Sequence, residues 1–139
     1  MASPGDKTLR DLCRDRRCKL QDLRISCVFC KGPLCLYDLH NFDISDLVCS
    51  LKNGVYYAAC ERCIRVVCQQ EFCNFLEATY YPEDILNFFG IPLFWLKLRC
   101  PWCCRKLCLL EIAYVLQNHS RVYKVKGQFK SECLLCAVL

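Results

Sequence analysis

The chain has few of the residues on which catalytic sites are most often built. Only two histidines occur, His40 and His119, and they lack the spacing of paired metal ligands. There is no glycine-rich phosphate loop, no Gly-x-Ser-x-Gly elbow and no His-Glu-x-x-His. Long hydrophobic runs are missing as well. The longest uncharged apolar stretch, Ile85 to Leu96, is broken by Asn87, Gly90 and Pro92 and is too short to span a bilayer. The opening Met-Ala-Ser-Pro-Gly-Asp-Lys holds no apolar segment of the secretory kind. The expectation is therefore a non-enzymatic protein of a reducing compartment, nucleus or cytoplasm, with no membrane partner. A secreted disulfide scaffold is set aside on the same ground.

Cysteine, by contrast, is abundant, with 16 in 139 residues. Eight of them form four Cys-x-x-Cys pairs: Cys27 and Cys30, Cys60 and Cys63, Cys100 and Cys103, Cys133 and Cys136. Between the pairs lie 29, 36 and again 29 residues. Two thiolates three residues apart can reach one ion from a tight turn. Two such turns complete a tetrahedron of soft ligands. The pattern predicts two structural zinc ions, each held by four sulfurs with no position open for substrate or water. A unit running from Cys27 to Cys63 is too short to build a sufficient core unaided. A structural zinc site supplies folding free energy on the order of 10 kcal/mol.

The spacing marks an internal duplication with a period of 73 residues. The same shift aligns Leu34 with Leu107, Cys35 with Cys108, Leu36 with Leu109, Asp38 with Glu111, Gly54 with Gly127 and Tyr56 with Phe129. These matches lie between the cysteine pairs, so a folded unit is repeated. Asn53-Gly54 is a hairpin signal, entered from Val48 to Leu51 and left through Val55 to Ala59, and Lys126-Gly127 takes its place in the second unit. The predicted fold is α+β: two duplicated small Cys₄ zinc-binding domains, each a short antiparallel sheet with short helices, joined by a linker helix.

The predicted divisions are an N-terminal arm over 1–26, a first zinc domain over 27–63, a linker helix region over 64–99, a second zinc domain over 100–136 and a tail over 137–139. In the arm, Thr8 caps a short helix with Asp11 near its positive end. Leu9, Leu12, Cys13, Leu20 and Leu23 are its apolar residues. Arg10, Arg14, Arg16, Arg17 and Lys19 form a basic surface, either simply solvated or set against an acidic partner. In the linker region, Ile64, Val67, Cys68, Phe72, Phe75 and Leu76 recur at helical spacing, and the helix is expected to end near Tyr81-Pro82. Pro82-Glu83-Asp84 starts a shorter helix, stopped by Gly90 and Pro92. Phe88, Phe89, Phe94 and Trp95 are expected to pack away for the most part, some remaining as a partner surface.

Cysteines 13, 18, 35, 49, 68, 73, 104 and 108 read as small buried hydrophobes, with a redox role as the alternative. Cys104 adjoins a ligand, but only Cys103 matches the repeat. Cys136-Ala137-Val138-Leu139 fits a prenylation box, yet Cys136 is the fourth ligand of the second site, and a metal-bound sulfur is closed to lipidation. The formal charge is +5. Eight ligand thiolates remove eight charges and two zinc ions return four, which leaves +1. That weakens an electrostatic nucleic-acid reading, although Arg14, Arg16 and Arg17 keep a zinc-dependent DNA-binding transcription regulator as the alternative function.

The full eight-cysteine spacing, with Tyr57-Ala58-Ala59-Cys60 after the first hairpin and Leu98-Arg99-Cys100 before the second unit, resembles the papillomavirus sixth early protein family, E-six. The likeness covers essentially the whole chain. It implies a viral adaptor oncoprotein without catalytic activity, placed in the host nucleus and cytoplasm. It implies capture of short acidic Leu-x-x-Leu-Leu helices in a groove between the zinc units and the linker helix. The partners implied are the E-six-associated ubiquitin ligase, with degradation of targets such as pro-apoptotic Bak, and Mastermind-like coactivators, with repression of Notch signalling and delayed keratinocyte differentiation. Self-association of N-terminal units, to a homodimer, also belongs to that likeness; weak DNA binding is a separate partner expectation that rests on the arm arginines. Carried over, the peptide pocket comprises Val28, Phe29, Leu47, Ser50, Lys52, Ala59, Ile64, Val67, Arg99, Lys126 and Gln128, with Leu47 as floor and Arg99 as charged clamp. Gln128 stands where some mucosal members carry arginine. Ala137 stands where a PDZ ligand needs Ser or Thr, so no PDZ partner is expected, and the short tail resembles a cutaneous or animal virus type.

Overall fold

In the computed structural model, residues 7–137 are described. The predicted tail residues Val138 and Leu139, and the start of the predicted arm, lie outside them. The chain divides into two compact units, Met1–Ile64 and Arg65–Leu139.

In the first unit, α1 (Leu9–Arg16) starts at Thr8, whose hydroxyl accepts from Asp11 N while Asp11 accepts from Thr8 N at 3.1 Å. This reciprocal box satisfies two N–H groups that a helix start leaves orphaned. The helix stops at Arg17, which is left-handed at φ 51. Leu9, Leu12 and Leu23 are buried, and the arm arginines stay on the surface. Arg10 pairs with Asp43 and Arg14 with Asp11. Strand β1 (Ser26–Cys27) leads into the first cysteine turn. Then come α2 (Leu36–Ile44), β2 (Ser50–Lys52) and β3 (Val55–Ala58). Asn53 and Gly54 have φ 51 and 79, the two positive values that a tight hairpin turn needs. The sheet has the order β1-β3-β2 and is mixed: β2 pairs antiparallel with β3, but β1 pairs with it in parallel. A purely antiparallel sheet was expected. The parallel strand arises because the loop and helix between β1 and β2 form a crossover.

Helix α3 (Glu61–Phe75) begins directly after Cys60, and the boundary between the units falls inside it. It ends earlier than its apolar periodicity suggests. Residues Leu76–Tyr80 form strand β4, paired antiparallel with β5 (Val122–Val125), which pairs in turn with β6 (Gln128–Lys130). Leu76 continues the helical stripe in sequence, so periodicity runs past the true end. Thr79 and Tyr80 favour a strand, and their backbone groups find partners on β5. The rest of the second unit is α4 (Pro82–Phe89), capped by Gly90 at φ 68, a single turn at Leu93–Trp95, α5 (Leu109–Gln117) and α6 (Leu134–Ala137). Its core gathers Ile85, Leu93, Leu98, Leu107, Ile112, Val115 and Val122 around Cys100, Cys103 and Cys133. Phe88, Phe89, Phe94 and Trp95 are all exposed, Trp95 at 79%, against the expectation that most pack away. Phe89 nevertheless meets Tyr80 and Phe129 edge-on.

The duplication holds at the level of single hydrogen bonds. Cys27 N donates to Gly32 O and Cys100 N to Arg105 O, at 2.8 and 2.9 Å. Lys31 and Cys104 share the left-handed region at φ 64 and 63, and so do Lys126 and Gly127 with Asn53 and Gly54. Leu34 and Leu107 are both buried. Cys35 and Cys108, expected to be buried, are exposed instead. They precede α2 and α5 as N-cap residues, where the chain turns at the surface. The remaining spare cysteines divide: Cys49 and Cys68 are buried, Cys13, Cys18 and Cys104 are half-buried and Cys73 is exposed. His40 and His119 lie on the surface, His119 within 3.4 Å of Glu83.

Candidate functional site

Each cysteine turn is built the same way. Cys27 ends strand β1 and Cys100 follows Arg99, which bridges to Lys106 and Lys130; in both turns a left-handed residue follows the first pair and a helix start carries the opposing pair. The eight paired cysteines gather into two sets, Cys27, Cys30, Cys60 and Cys63, and Cys100, Cys103, Cys133 and Cys136. The sulfurs of each set lie within 4.8 Å of one another. Cys30 and Cys60 sulfurs are 4.0 Å apart and those of Cys103 and Cys133 are 3.7 Å apart. A tetrahedral zinc at about 2.3 Å from each sulfur places them about 3.8 Å apart. Each set could therefore hold one metal ion. The donors fit a soft, tetrahedral cation with no open coordination position.

The surroundings favour thiolate. Phe29 N donates to Cys27 Sγ and Cys136 N to Cys133 Sγ, both at 3.4 Å. Burial raises the Cys27 thiol, but the N–H groups of Cys30, Cys60 and Phe29 prevail and bring it down to about 6. Cys100 is pulled down to about 4, chiefly because the Cys103 thiol donates to it, and Cys103 is pushed up in return. Burial pushes Cys63 up to about 12 and Cys136 to about 11. Before a metal arrives, each set thus holds a ready thiolate beside thiols that must still surrender a proton, so loading releases protons.

The two sets differ in what surrounds them. The second is the more buried, with only Cys136 half-buried, whereas Cys30 of the first is exposed. Arg65 Nη1 lies 3.8 Å from Cys136 Sγ, and the positive charge of Arg105 lies near Cys133. These cations would offset the negative charge that four thiolates leave on a divalent metal held there. Arg105 also pairs with buried Glu111 at 2.6 Å. Sequence reasoning missed Arg65, Arg105 and the role of Glu111. Only the alignment of Asp38 with Glu111 hinted at the last. It also missed Lys130, buried beside Glu71 at 3.8 Å.

The pocket residues carried over by resemblance are distributed over both units. In the first, Val28 and Phe29 follow β1 in the cysteine turn, Val28 N donating to Ala58 O, and Phe29 is 56% exposed. Ser50 and Lys52 lie on β2. Leu47, half-buried, precedes the hairpin and is not part of it. Ala59 and Ile64 are buried. In the second unit, Val67 is half-buried on α3, and Lys126 and Gln128 are exposed at the second hairpin. Arg99 and Gln128 line one cleft of about 290 Å³ with Leu96, Lys97, Gly127 and Phe129. Arg99 Nη1 donates to Cys104 O at 2.9 Å, which fixes its guanidinium.

Against this geometry, the family model described as Early Protein (E6) matches residues 27–136, from the first ligand to the last. The chain belongs to the papillomavirus E6 family. It is 32% identical to Protein E6 of Human papillomavirus 57 over 97% of this chain and 88% of that protein. It is 30% identical to Protein E6 of Human papillomavirus 39, over 92% and 81%. It is likewise 30% identical to Protein E6 of Human papillomavirus type 1, over 98% and 96%. The family match spans both cysteine sets. Among the described residues no helix is long and apolar enough to cross a membrane.

Proposed function

We propose that this E6-family chain is a zinc-loaded, non-enzymatic adaptor that captures acidic Leu-x-x-Leu-Leu helices of host proteins. Its family membership carries the reading, because the match runs across both cysteine sets. Zinc is the metal that suits two closed Cys₄ sets. The closed sets offer no position for a reacting group, which favours binding over catalysis. Apolar and basic side chains suited to an amphipathic acidic helix are accessible on each unit: exposed Phe29 and Lys52 on the first, and Arg99 with Gln128 and Lys126 on the second. Leu47 is the floor of the pocket and Arg99 its clamp. The outcomes are association with the E-six-associated ubiquitin ligase and loss of targets such as Bak, or capture of Mastermind-like coactivators and repression of Notch signalling, in the host nucleus and cytoplasm.

The test is titration of the zinc-loaded chain into labelled Leu-x-x-Leu-Leu peptides from the ligase and from a Mastermind-like protein. Preference for one peptide assigns the main route. Leu47→Glu is expected to abolish capture while two equivalents of zinc are retained, and normal binding by that variant would refute the pocket. A second reading, contact with nucleic acid, is supported by one observation. Arg16 and Arg24 line a cleft of about 310 Å³ in the first unit with Ser26, Tyr56 and Tyr57 and no carboxylate. A steep fall of duplex affinity with salt is its signature.

A further inference from the structure

The last helix of each cysteine unit has a difficult start. Glu61 is the first residue of α3 and Leu134 the first of α6. The residue before each, where a capping side chain normally sits, is a metal-ligand cysteine, Cys60 or Cys133. The Cys133 sulfur accepts from Cys136 N at 3.4 Å, which leaves the first N–H of each helix, Glu61 N and Leu134 N, to find another acceptor. Those helices also carry the fourth ligands, Cys63 and Cys136, so the angle at which each helix leaves decides whether the tetrahedron closes.

A carboxylate from 23 residues earlier fills the gap in both units. Asp38 Oδ1 accepts from Glu61 N at 3.1 Å. Glu111 Oε2 accepts from Leu134 N at 2.9 Å. The other oxygen of each carboxylate holds its own helix start: Asp38 Oδ2 accepts from Cys35 N at 3.3 Å, and Glu111 Oε1 from Cys108 N at 3.1 Å. One side chain thus ties the start of the short helix to the start of the ligand-bearing helix. The negative group also sits where the helix N-terminus is positive. Asp38 and Glu111 coincide under the 73-residue repeat, and so do Glu61 with Leu134 and Cys35 with Cys108. Two occurrences of the same four-point contact in one chain, made by side chains of different length, are hard to ascribe to chance packing.

We infer that Asp38 and Glu111 are positioning residues of the two metal centres, each acting as the acceptor for the first N–H of the helix that bears the fourth sulfur. They do not touch the metal. They fix where Cys63 and Cys136 point, and each serves its own centre only. Outer-shell partners of this kind are worth about 10- to 100-fold in metal affinity.

The experiment uses the full chain loaded with cadmium, which gives one NMR resonance per tetrathiolate centre, assigned by its coupling to the cysteine protons. A chelator series then reads the affinity of each centre separately. Glu111→Gln places an amide against the Leu134 N–H and is expected to weaken the second centre about 10- to 100-fold and leave the first unchanged. Asp38→Asn is expected to do the reverse. Thr8→Ala, which removes the α1 cap far from any ligand in sequence, serves as the structural control and is expected to lower stability without moving either affinity. Equal weakening of both centres by either variant, or no change in either, would overturn the inference. If Glu111→Gln does not fold, Asp38→Asn decides it alone, because its half-buried carboxylate is the easier of the two to replace.

Discussion

Chelation is expected to empty the first centre before the second. The order follows from three differences between otherwise duplicated sites. Cys30 is exposed and Cys60 and Cys63 are half-buried, so a chelator can reach the first set. In the second, Cys100, Cys103 and Cys133 are buried. One guanidinium stands against its sulfurs, Arg65 at 3.8 Å from Cys136, and the charge of Arg105 lies near Cys133. A charge-assisted contact in such a partly buried place, that of Arg65, is worth about 1–2 kcal/mol. That is about 5- to 30-fold in relative affinity. The assay titrates a colorimetric chelator into the zinc-loaded chain, alkylates the freed thiols at each step and maps them by mass. One equivalent is expected to leave early and free Cys27, Cys30, Cys60 and Cys63, the second to follow with the other four. Arg65→Gln with Arg105→Gln should draw the two steps together. Simultaneous release, or early alkylation of Cys100 and Cys103, would refute the reasoning.

Two further outcomes concern the second unit. Ile85 is fully buried between Leu93, Leu98, Ile112 and Val115, so Ile85→Ala is expected to cost about 2–5 kcal/mol in denaturant unfolding, whereas Leu110→Ala, at a site 78% exposed, should cost under about 0.5 kcal/mol. Burial raises the Glu111 carboxyl, but the N–H groups of Leu134 and Cys108 and the charge of Arg105 outweigh it, and its pKa falls below the usual 4.5. A depressed folded pKa adds stability that is fully present above about 4.5 and lost as pH falls through the lower folded value. The wild-type acid limb should therefore be steeper than that of Glu111→Gln, and parallel acid limbs would contradict the assignment.

What could be read from the sequence was whatever rests on local chemistry. The cysteine pairs, the Thr8 cap, the Asn53-Gly54 and Lys126-Gly127 turns and the Gly90 stop each depend on a few adjacent residues, and each lies where its chemistry requires. What could not be read depends on distant pairing. Strand β4 exists because β5, more than 40 residues on, supplies its hydrogen bonds, and nothing within Leu76–Tyr80 announces that partner. The parallel β1–β3 pair hides for the same reason. Cys35 and Cys108 misled because cysteine is usually buried, while their place at a helix start was set by the carboxylate three residues on. The peptide pocket is a different case. Its members come from both units, and family likeness, not periodicity or spacing, brought them together on paper.

The two halves keep the contacts that build a centre and differ in those that tune it. The turn geometry, the left-handed residue after each first pair and the carboxylate bridging two helix starts occur twice. Arg105 does not, because the position 73 residues earlier is Gly32, which has no side chain to reach a sulfur or a carboxylate. Asp38 has no cation paired with it among the described residues, whereas Glu111 is gripped by one at 2.6 Å and is almost wholly removed from water. A carboxylate can be buried that deeply only when its charge is met, and the guanidinium that meets it also faces Cys133. The arginine thus permits a deeper centre in the second unit, and the glycine leaves the first nearer to solvent. The duplicated unit thus yields one cysteine set that is shielded and one that is accessible.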